Sequence, residues 1–367
     1  MNKLPARAET EKIARLLDRD PGEFAFLAEL PADDVRRLRE LTVAALFDNA
    51  PDMLDRIARA TKLVPAGVAA AISQKALGPR LAAAVAGRLE PSRAADIIDK
   101  LPVAFTAESC AHLDPRRIPS IVAGLDEGLL VRVSVALAER GDHLTMGRFV
   151  AHLPDSVLDR VLPQVSDEVV LRTGYALDSP QHLPHIVELM GDDRLERVVA
   201  SAADGLWPEA LAIASSVTGE QRIRIATLAA HRPPDQLDSL VRTVADQDLW
   251  EALLPLVAVL PDEDRRTVAA LPALSDAEVL TGLVPAVVAT GLWAQFLPLF
   301  DLLPEDSRKT VADAAGTLPD ADLDALAREV DKRDLWELVL PLVEVMDDPA
   351  KERIFTLPAF QDRAGQP

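Results

Sequence analysis

Apolar side chains recur at helical spacing through the C-terminal half of the chain. In one stretch they share a face of a helix predicted over Leu249–Leu260. That face consists of Trp250, Leu253, Leu254, Val257 and Leu260. Asp248 is the predicted N-cap because its carboxylate can accept hydrogen bonds from first-turn amides. Pro255 lies inside this helix, where it removes a backbone donor, so we expect a bend there.

Two more helices are predicted directly after the first. Pro261 opens a helix over Asp262–Leu271, whose acidic first turn suits the positive end of the helix dipole. A third helix covers Asp276–Thr290 and ends at Gly291, a residue type favoured just after a helix. Three short helices in 43 residues are typical of HEAT and armadillo repeats.

The same pattern returns every 43 residues, so this part of the chain is a tandem repeat. Each of the four tryptophans follows a leucine and lies 43 residues from the next. They are Trp207, Trp250, Trp293 and Trp336. Three other sets keep the same step: Pro255, Pro298 and Pro341; Arg222, Arg265, Arg308 and Lys351; Ile225, Val268, Val311 and Ile354. We interpret the tryptophans as repeat-packing residues, the alternative being that they line a concave ligand surface.

These patterns predict an all-α protein, an α-solenoid or superhelix of short helices with HEAT-like 43-residue repeats in its C-terminal half. The bends at the repeated prolines would give the stack a consistent curvature. We divide the chain into an N-terminal helical cap or accessory region over 1–89, degenerate helical repeats over 90–205, regular repeats over 206–360 and a tail over 361–367.

Two phrases upstream resemble a known domain. Glu90–Pro102 reads EPSRAADIIDKLP, and Leu113–Leu125 reads LDPRRIPSIVAGL. Over about residues 90–165 the chain resembles the intracellular N-terminal superhelical domain of MgtE-type magnesium transporters. The resemblance implies a right-handed α-superhelix and a magnesium-responsive regulatory role. No membrane-spanning stretches and no recognisable nucleotide-sensing domain follow these phrases, so transport is not expected.

Charge and composition narrow the function classes. The 367 residues carry a net charge of −20, which argues against a nucleic-acid partner. Residues 101–367 hold 23 Lys/Arg and 44 Asp/Glu, whereas residues 1–100 hold 16 and 15. The acidic part suits solubility. A single cysteine, no signal peptide and no bilayer-length apolar stretch predict a cytoplasmic protein, with a peripheral membrane location as the alternative.

The residues with chemical potential do not form a catalytic pattern. Cys110 lies close to His112 in sequence, but no nucleophile motif surrounds it, and phosphate-binding glycine loops are absent. His182 and His185 have ligand-like spacing, yet Pro184 separates them and no zinc-binding motif accompanies them. We therefore predict a protein that is not an enzyme, without catalytic, cofactor-binding or metal-ligating residues.

One segment stands apart in this acidic protein. Between Arg56 and Leu89 there is no acidic residue, and six cations are interleaved with apolar residues. The cations are Arg56, Arg59, Lys62, Lys75, Arg80 and Arg88. Such a segment suits an anionic membrane surface or an acidic partner. In the alternative, its apolar faces pack into the helical array and its charges meet acidic neighbours.

Three functions are compatible with these features. The first is a non-catalytic helical-repeat scaffold for a protein or peptide partner. The second is a peripheral membrane- or lipid-binding protein that uses residues 56–89 or an apolar groove. The third, implied only by the resemblance, is a magnesium-responsive regulatory protein.

Overall fold

The all-α prediction is confirmed by a computed structural model that describes residues 3–47, 51–356 and 358. Within these residues the chain forms 25 α-helices and no β-strand. The helices belong to two compact units, residues 3–202 and the residues from 203 onward. The predicted tail over 361–367 lies outside the described residues.

The first unit contains fourteen helices joined by short turns. They are α1 Leu4–Leu17, α2 Ala32–Phe47, α3 Pro51–Thr61, α4 Ala66–Ile72, α5 Gly78–Ala86, α6 Pro91–Ile98, α7 Val103–Cys110, α8 Pro119–Val122, α9 Glu127–Glu139, α10 His143–Phe149, α11 Asp155–Val161, α12 Asp167–Tyr175, α13 Leu183–Met190 and α14 Asp192–Ser201. A 3₁₀ helix over Pro21–Glu29 joins α1 to α2, and a π-helical turn over Ser73–Leu77 joins α4 to α5.

Alternate helices of this unit stack in two rows. In one row α3 packs on α5 and α5 on α7, and in the other α4 packs on α6 and α6 on α8. Further along the chain α10 packs on α12 and α12 on α14. Aspartates set several helix starts: Asp126 accepts from the Leu129 amide at α9, and Asp142 accepts from the Thr145 amide at α10.

The second unit contains eleven helices. They are α15 Trp207–Ser216, α16 Gly219–Ala230, α17 Pro234–Gln247, α18 Trp250–Ala258, α19 Asp262–Ala269, α20 Ala277–Thr290, α21 Trp293–Phe300, α22 Glu305–Gly316, α23 Asp320–Lys332, α24 Trp336–Val345 and α25 Asp348–Phe355. Each complete 43-residue repeat therefore holds three α-helices. The first helices of successive repeats contact one another, α15 with α18, α18 with α21 and α21 with α24.

The three predicted helices of the repeat are present with small differences at their ends. Asp276 caps α20 by accepting from the Glu278 amide, and Gly291 ends that helix with a φ of 67°. Pro255, Pro298 and Pro341 all lie inside helices, as predicted.

The prediction for Asp248 is wrong. It does not cap α18; it ends α17 in the left-handed conformation, with a φ of 54°. The equivalent residue of every repeat, two positions before the tryptophan, has a positive φ: 87° at Gly205, 67° at Gly291 and 53° at Asp334. Glycine and aspartate tolerate this conformation better than most residues, so a left-handed break precedes each Leu-Trp pair.

Three of the four tryptophans lie in the core. Trp207, Trp250 and Trp293 are 2%, 3% and 5% exposed, so their rings are in contact with protein and are not offered to a ligand. Trp336, in the last repeat, is only partly buried, and its indole N–H donates to the Asp331 carboxylate over 3.0 Å.

Arginines close helix ends in the same way in both units. Arg148 donates to the carbonyls of Ala111 and Leu113 at the end of α7, 37 and 35 residues earlier. Arg353 donates to the carbonyls of Gly316 and Leu318 at the end of α22, again 37 and 35 residues earlier. These guanidinium groups satisfy carbonyls that a helix terminus leaves without an intrahelical partner.

Candidate binding cavity beside helix α1

Helix α1 contacts several segments of the remaining helices of the first unit, which we call the array. At its start, the Tyr175 hydroxyl donates to the Leu4 carbonyl over 3.3 Å. Further on, Lys12 contacts the turn after α12, and Arg15 pairs with Asp142 at the start of α10 over 3.2 Å. The end of α1 lies beside α5 and α7. The helix thus meets the array in reverse chain order, one turn after another.

A buried network of charges fixes α1 in this position. Lys12 Nζ lies 3.0 Å from Glu9 Oε1 and 2.9 Å from Asp178 Oδ1, and it also donates to the Leu177 carbonyl over 3.2 Å. Arg39 of α2 donates to Glu9 Oε2 over 2.8 Å and lies 3.1 Å from Asp178. The side chains of Glu9, Lys12 and Arg39 are at most 4% exposed. Buried charges are tolerated when each is paired and hydrogen-bonded, as these are.

The network also alters the ionisation of its carboxyl groups. Burial disfavours the charged form of Glu9, but the positive charges of Lys12 and Arg39 outweigh burial and lower its pKa. The pKa of Asp178 is lowered by the same balance of burial against Lys12 and Arg39. Both carboxyl groups are therefore held in the charged form, in which Glu9 joins α1 to α2 and Asp178 joins the turn after α12 to α1.

A cavity of about 760 Å³ opens beside the C-terminal end of α1, and we call it the α1 cavity. Its walls come from α1, α3, the π-helical turn, α5, α7 and the segment between α9 and α10. Apolar and small residues line part of it: Leu16, Leu17, Met53, Leu54, Leu77, Leu81, Ala84 and Ala111. Charged and ionisable residues line the rest: Arg15, Asp18, Arg80, Glu108, His112, Arg140 and Asp142.

The charges of the α1 cavity have both signs. Arg15 is neutralised by Asp142, whereas Arg80 and Arg140 are exposed. Burial lowers the pKa of His112, and the nearby Arg80 and Arg15 lower it further, so the imidazole is neutral near pH 7. A ligand of mixed charge with an apolar face suits this lining better than a polyanion.

Cys110 lies next to this region in sequence, but its thiol is buried. Burial raises its pKa to about 12, so the group is a thiol and not a thiolate at neutral pH. Among the residues the structure describes, no three His, Cys, Asp or Glu side chains are grouped closely enough to hold a metal ion. The sequence-based prediction that the chain has no catalytic, cofactor-binding or metal-ligating residues stays a prediction.

The structure separates the six cations of the 56–89 segment. Arg80 reaches the α1 cavity, and Arg88 pairs with Asp55 over 2.9 Å. The remaining four side chains lie on exposed parts of α3, the turn after it and the π-helical turn: Arg56, Arg59, Lys62 and Lys75.

The sequence does not predict the contribution of α1 to a cavity. No motif marks the residues of α1, and their partners lie far along the chain.

No family model matches the chain, and no curated protein matches it. The resemblance to the MgtE N-terminal domain, and the magnesium response that it implies, therefore remain predictions. None of the helices in the described ranges has both the length and the apolar character that a membrane crossing requires.

Proposed function

We propose that the protein is a non-catalytic α-solenoid scaffold that binds a helical segment of a protein partner in the α1 cavity. The main support for the proposal is the way in which α1 is bound. This 14-residue helix is held across successive turns of the array by buried apolar residues and paired charges. The array thus already accommodates one amphipathic helix, and the α1 cavity extends that surface beyond its end.

The lining of the α1 cavity supports a helical peptide as the ligand. Helix-in-groove recognition places an amphipathic helix with its apolar face in a hydrophobic groove. Here Met53, Leu77 and Leu81 provide apolar contacts, while Arg80 and Glu108 provide opposite charges within one cavity. Charges of both signs select the register and orientation of a peptide more than they raise its affinity.

The second unit supports the solenoid part of the proposal. Its tryptophan-bearing helices contact one another in succession, which is the arrangement expected when each repeat buries its apolar face against its neighbours. From residue 203 onward the sequence has 14 Lys/Arg and 29 Asp/Glu, so this region repels other acidic surfaces.

Site-specific photo-cross-linking in the source cells tests the proposal. A photo-reactive phenylalanine replaces Met53, which lines the α1 cavity and is 49% exposed, or Leu340, which is 51% exposed in α24 and serves as the matched control. We expect a discrete protein adduct from position 53 that position 340 does not give. Equal adduct patterns from both positions, or no protein adduct from position 53, would contradict a partner in the α1 cavity.

A further inference from the structure

A second surface of the first unit combines exposed apolar side chains with cations. It consists of seven residues on α3, α4, the turn between them and the π-helical turn. They are Arg56, Arg59, Lys62, Leu63, Val68, Ile72 and Lys75, and we call them the basic apolar surface. This surface shares no lining residue with the α1 cavity.

Helix α4 presents one side to protein and the other to solvent. Ala69 and Ala70 are buried against Ile97 of α6. Val68 and Ile72, four residues apart and so on one face of α4, are 46% and 45% exposed. Burying apolar side chains is ordinarily favourable, so two exposed apolar side chains on one face of a helix indicate a candidate binding surface.

Helix α3 and the turn after it also carry exposed residues. Leu54 and Ala58 are buried against Val85 of α5, whereas Arg56 and Arg59 are exposed. In the following turn Leu63 is 86% exposed. A leucine this exposed protrudes from the protein and does not line a groove.

The charges of the basic apolar surface are not neutralised by the protein. Within the described residues, Arg56, Lys62 and Lys75 form no ion pair, and Arg59 donates to the Asp55 backbone carbonyl over 3.2 Å. Residues 56–89 contain no carboxylate. Asp52 and Asp55 lie one turn earlier on α3, and in the described residues neither forms an ion pair with Arg56 or Arg59. The interpretation in which these charges meet acidic neighbours holds for Arg88 alone, through Asp55.

We infer that the basic apolar surface binds an anionic membrane surface. Leu63, Val68 and Ile72 would enter the boundary between headgroups and acyl chains, while the cations contact lipid phosphates and carboxylates. The protruding leucine favours a membrane over an acidic protein, because a single exposed side chain inserts into lipid without a complementary pocket. Since the whole chain has a net charge of −20, attraction depends on this surface being turned towards the lipid.

Vesicle flotation with the full chain tests this inference. The vesicles contain phosphatidylcholine alone or phosphatidylcholine with about 30% phosphatidylserine, which supplies a negative surface potential. We expect flotation only with the anionic vesicles and weaker binding as salt is raised. The double variant Lys62→Glu/Lys75→Glu should reduce the partition coefficient at least tenfold, and Leu63→Asp should also weaken binding.

Matched controls come from exposed residues of the second unit. Lys309→Glu removes an exposed cation, and Ile223→Asp changes an apolar side chain that is 46% exposed, the same fraction as Val68. Both should float like the wild type. Absence of wild-type flotation would overturn the inference, as would equal flotation of the Lys62→Glu/Lys75→Glu variant. Binding to polyglutamate without any binding to vesicles would instead assign the surface to an acidic protein and would also overturn it. The cross-linking result at position 53 is independent of these outcomes.

Discussion

Lys12 Nζ lies 2.9 Å from Asp178 Oδ1, although 166 residues separate the two in the chain. The ion pair joins the first helix to the turn after α12 and so holds α1 against the array. Glu9 and Arg39 complete the network with contacts of 3.0 Å and 2.8 Å. The position of the α1 cavity depends on this network, because the end of α1 forms one of its walls.

Removing the charge of Glu9 should destabilise the first unit strongly. Glu9→Gln leaves Lys12 and Arg39 buried with one carboxylate fewer, and breaking a buried charge network by removing one partner costs about 3–5 kcal/mol. Urea unfolding followed by circular dichroism measures the loss. Glu29→Gln is the control, because Glu29 pairs with Lys3 but is 66% exposed, and its loss should stay below about 1 kcal/mol. Similar losses in both variants would contradict a structural role for the buried network.

The same network predicts how stability depends on pH. The pKa values of Glu9 and Asp178 are lower in the folded chain than in the unfolded chain, where they are about 4.3 and 3.9. Their contribution is therefore complete above those unfolded values and is lost as the pH falls through the folded values. The difference in unfolding free energy between wild type and Glu9→Gln should be large at pH 7 and should shrink in acid. A difference that stays constant down to about pH 3 would show that ionised Glu9 does not stabilise the fold.

Gly147 marks a close approach between α10 and the end of α12. A Cβ atom there would lie 2.5 Å from the Ala176 carbonyl oxygen, so Gly147→Ala should cost about 1–3 kcal/mol through overpacking. Gly282 in α20 is the control, because a Cβ atom there meets nothing within 4 Å. Gly282→Ala should gain about 0.5–1 kcal/mol, since alanine is the better helix former. Denaturant midpoints compare the two, and a neutral Gly147→Ala would show that the helices can separate at this point.

The contribution of each tryptophan to the free energy of unfolding should depend on how deeply its ring is buried. Trp250→Ala removes a ring that is 3% exposed and should cost about 3–5 kcal/mol. Trp336→Ala removes a partly exposed ring and should cost clearly less. Chemical denaturation of each variant gives the comparison. Equal losses would mean that burial does not determine the contribution of the repeated tryptophan.

The sequence predicts the repeated helices better than the breaks between them. Trp250, Leu253 and Leu254 mark α18 correctly because apolar periodicity is a local signal, and all three are buried. The prediction for Asp248 is wrong because aspartate is favoured both as an N-cap and, more than most residues, in the left-handed conformation. Gly291 lies at the equivalent position of the next repeat, and glycine there correctly predicts the end of a helix. Aligning the repeats therefore predicts that Asp248 also ends a helix.

The candidate site was far less predictable than the fold. Glu9 and Lys12 look like an ordinary i, i+3 pair on an exposed helix, and no local pattern marks Asp178 as their partner. Such contacts depend on how distant turns of the array come together, which periodicity does not encode. The cations at 56–89 were identified from composition, but only the structure separates Arg80 and Arg88 from the four on the basic apolar surface.

The most direct test of the scaffold proposal is the affinity of the cross-linked partner segment for the purified full chain. Fluorescence anisotropy compares wild type with Arg80→Glu and Met53→Asp, which change exposed residues of the α1 cavity, and with the control Leu340→Asp. We predict at least tenfold weaker binding for both cavity variants, equivalent to about 1.4 kcal/mol, and unchanged binding for the control. Equal affinity for wild type and both cavity variants would contradict the scaffold proposal.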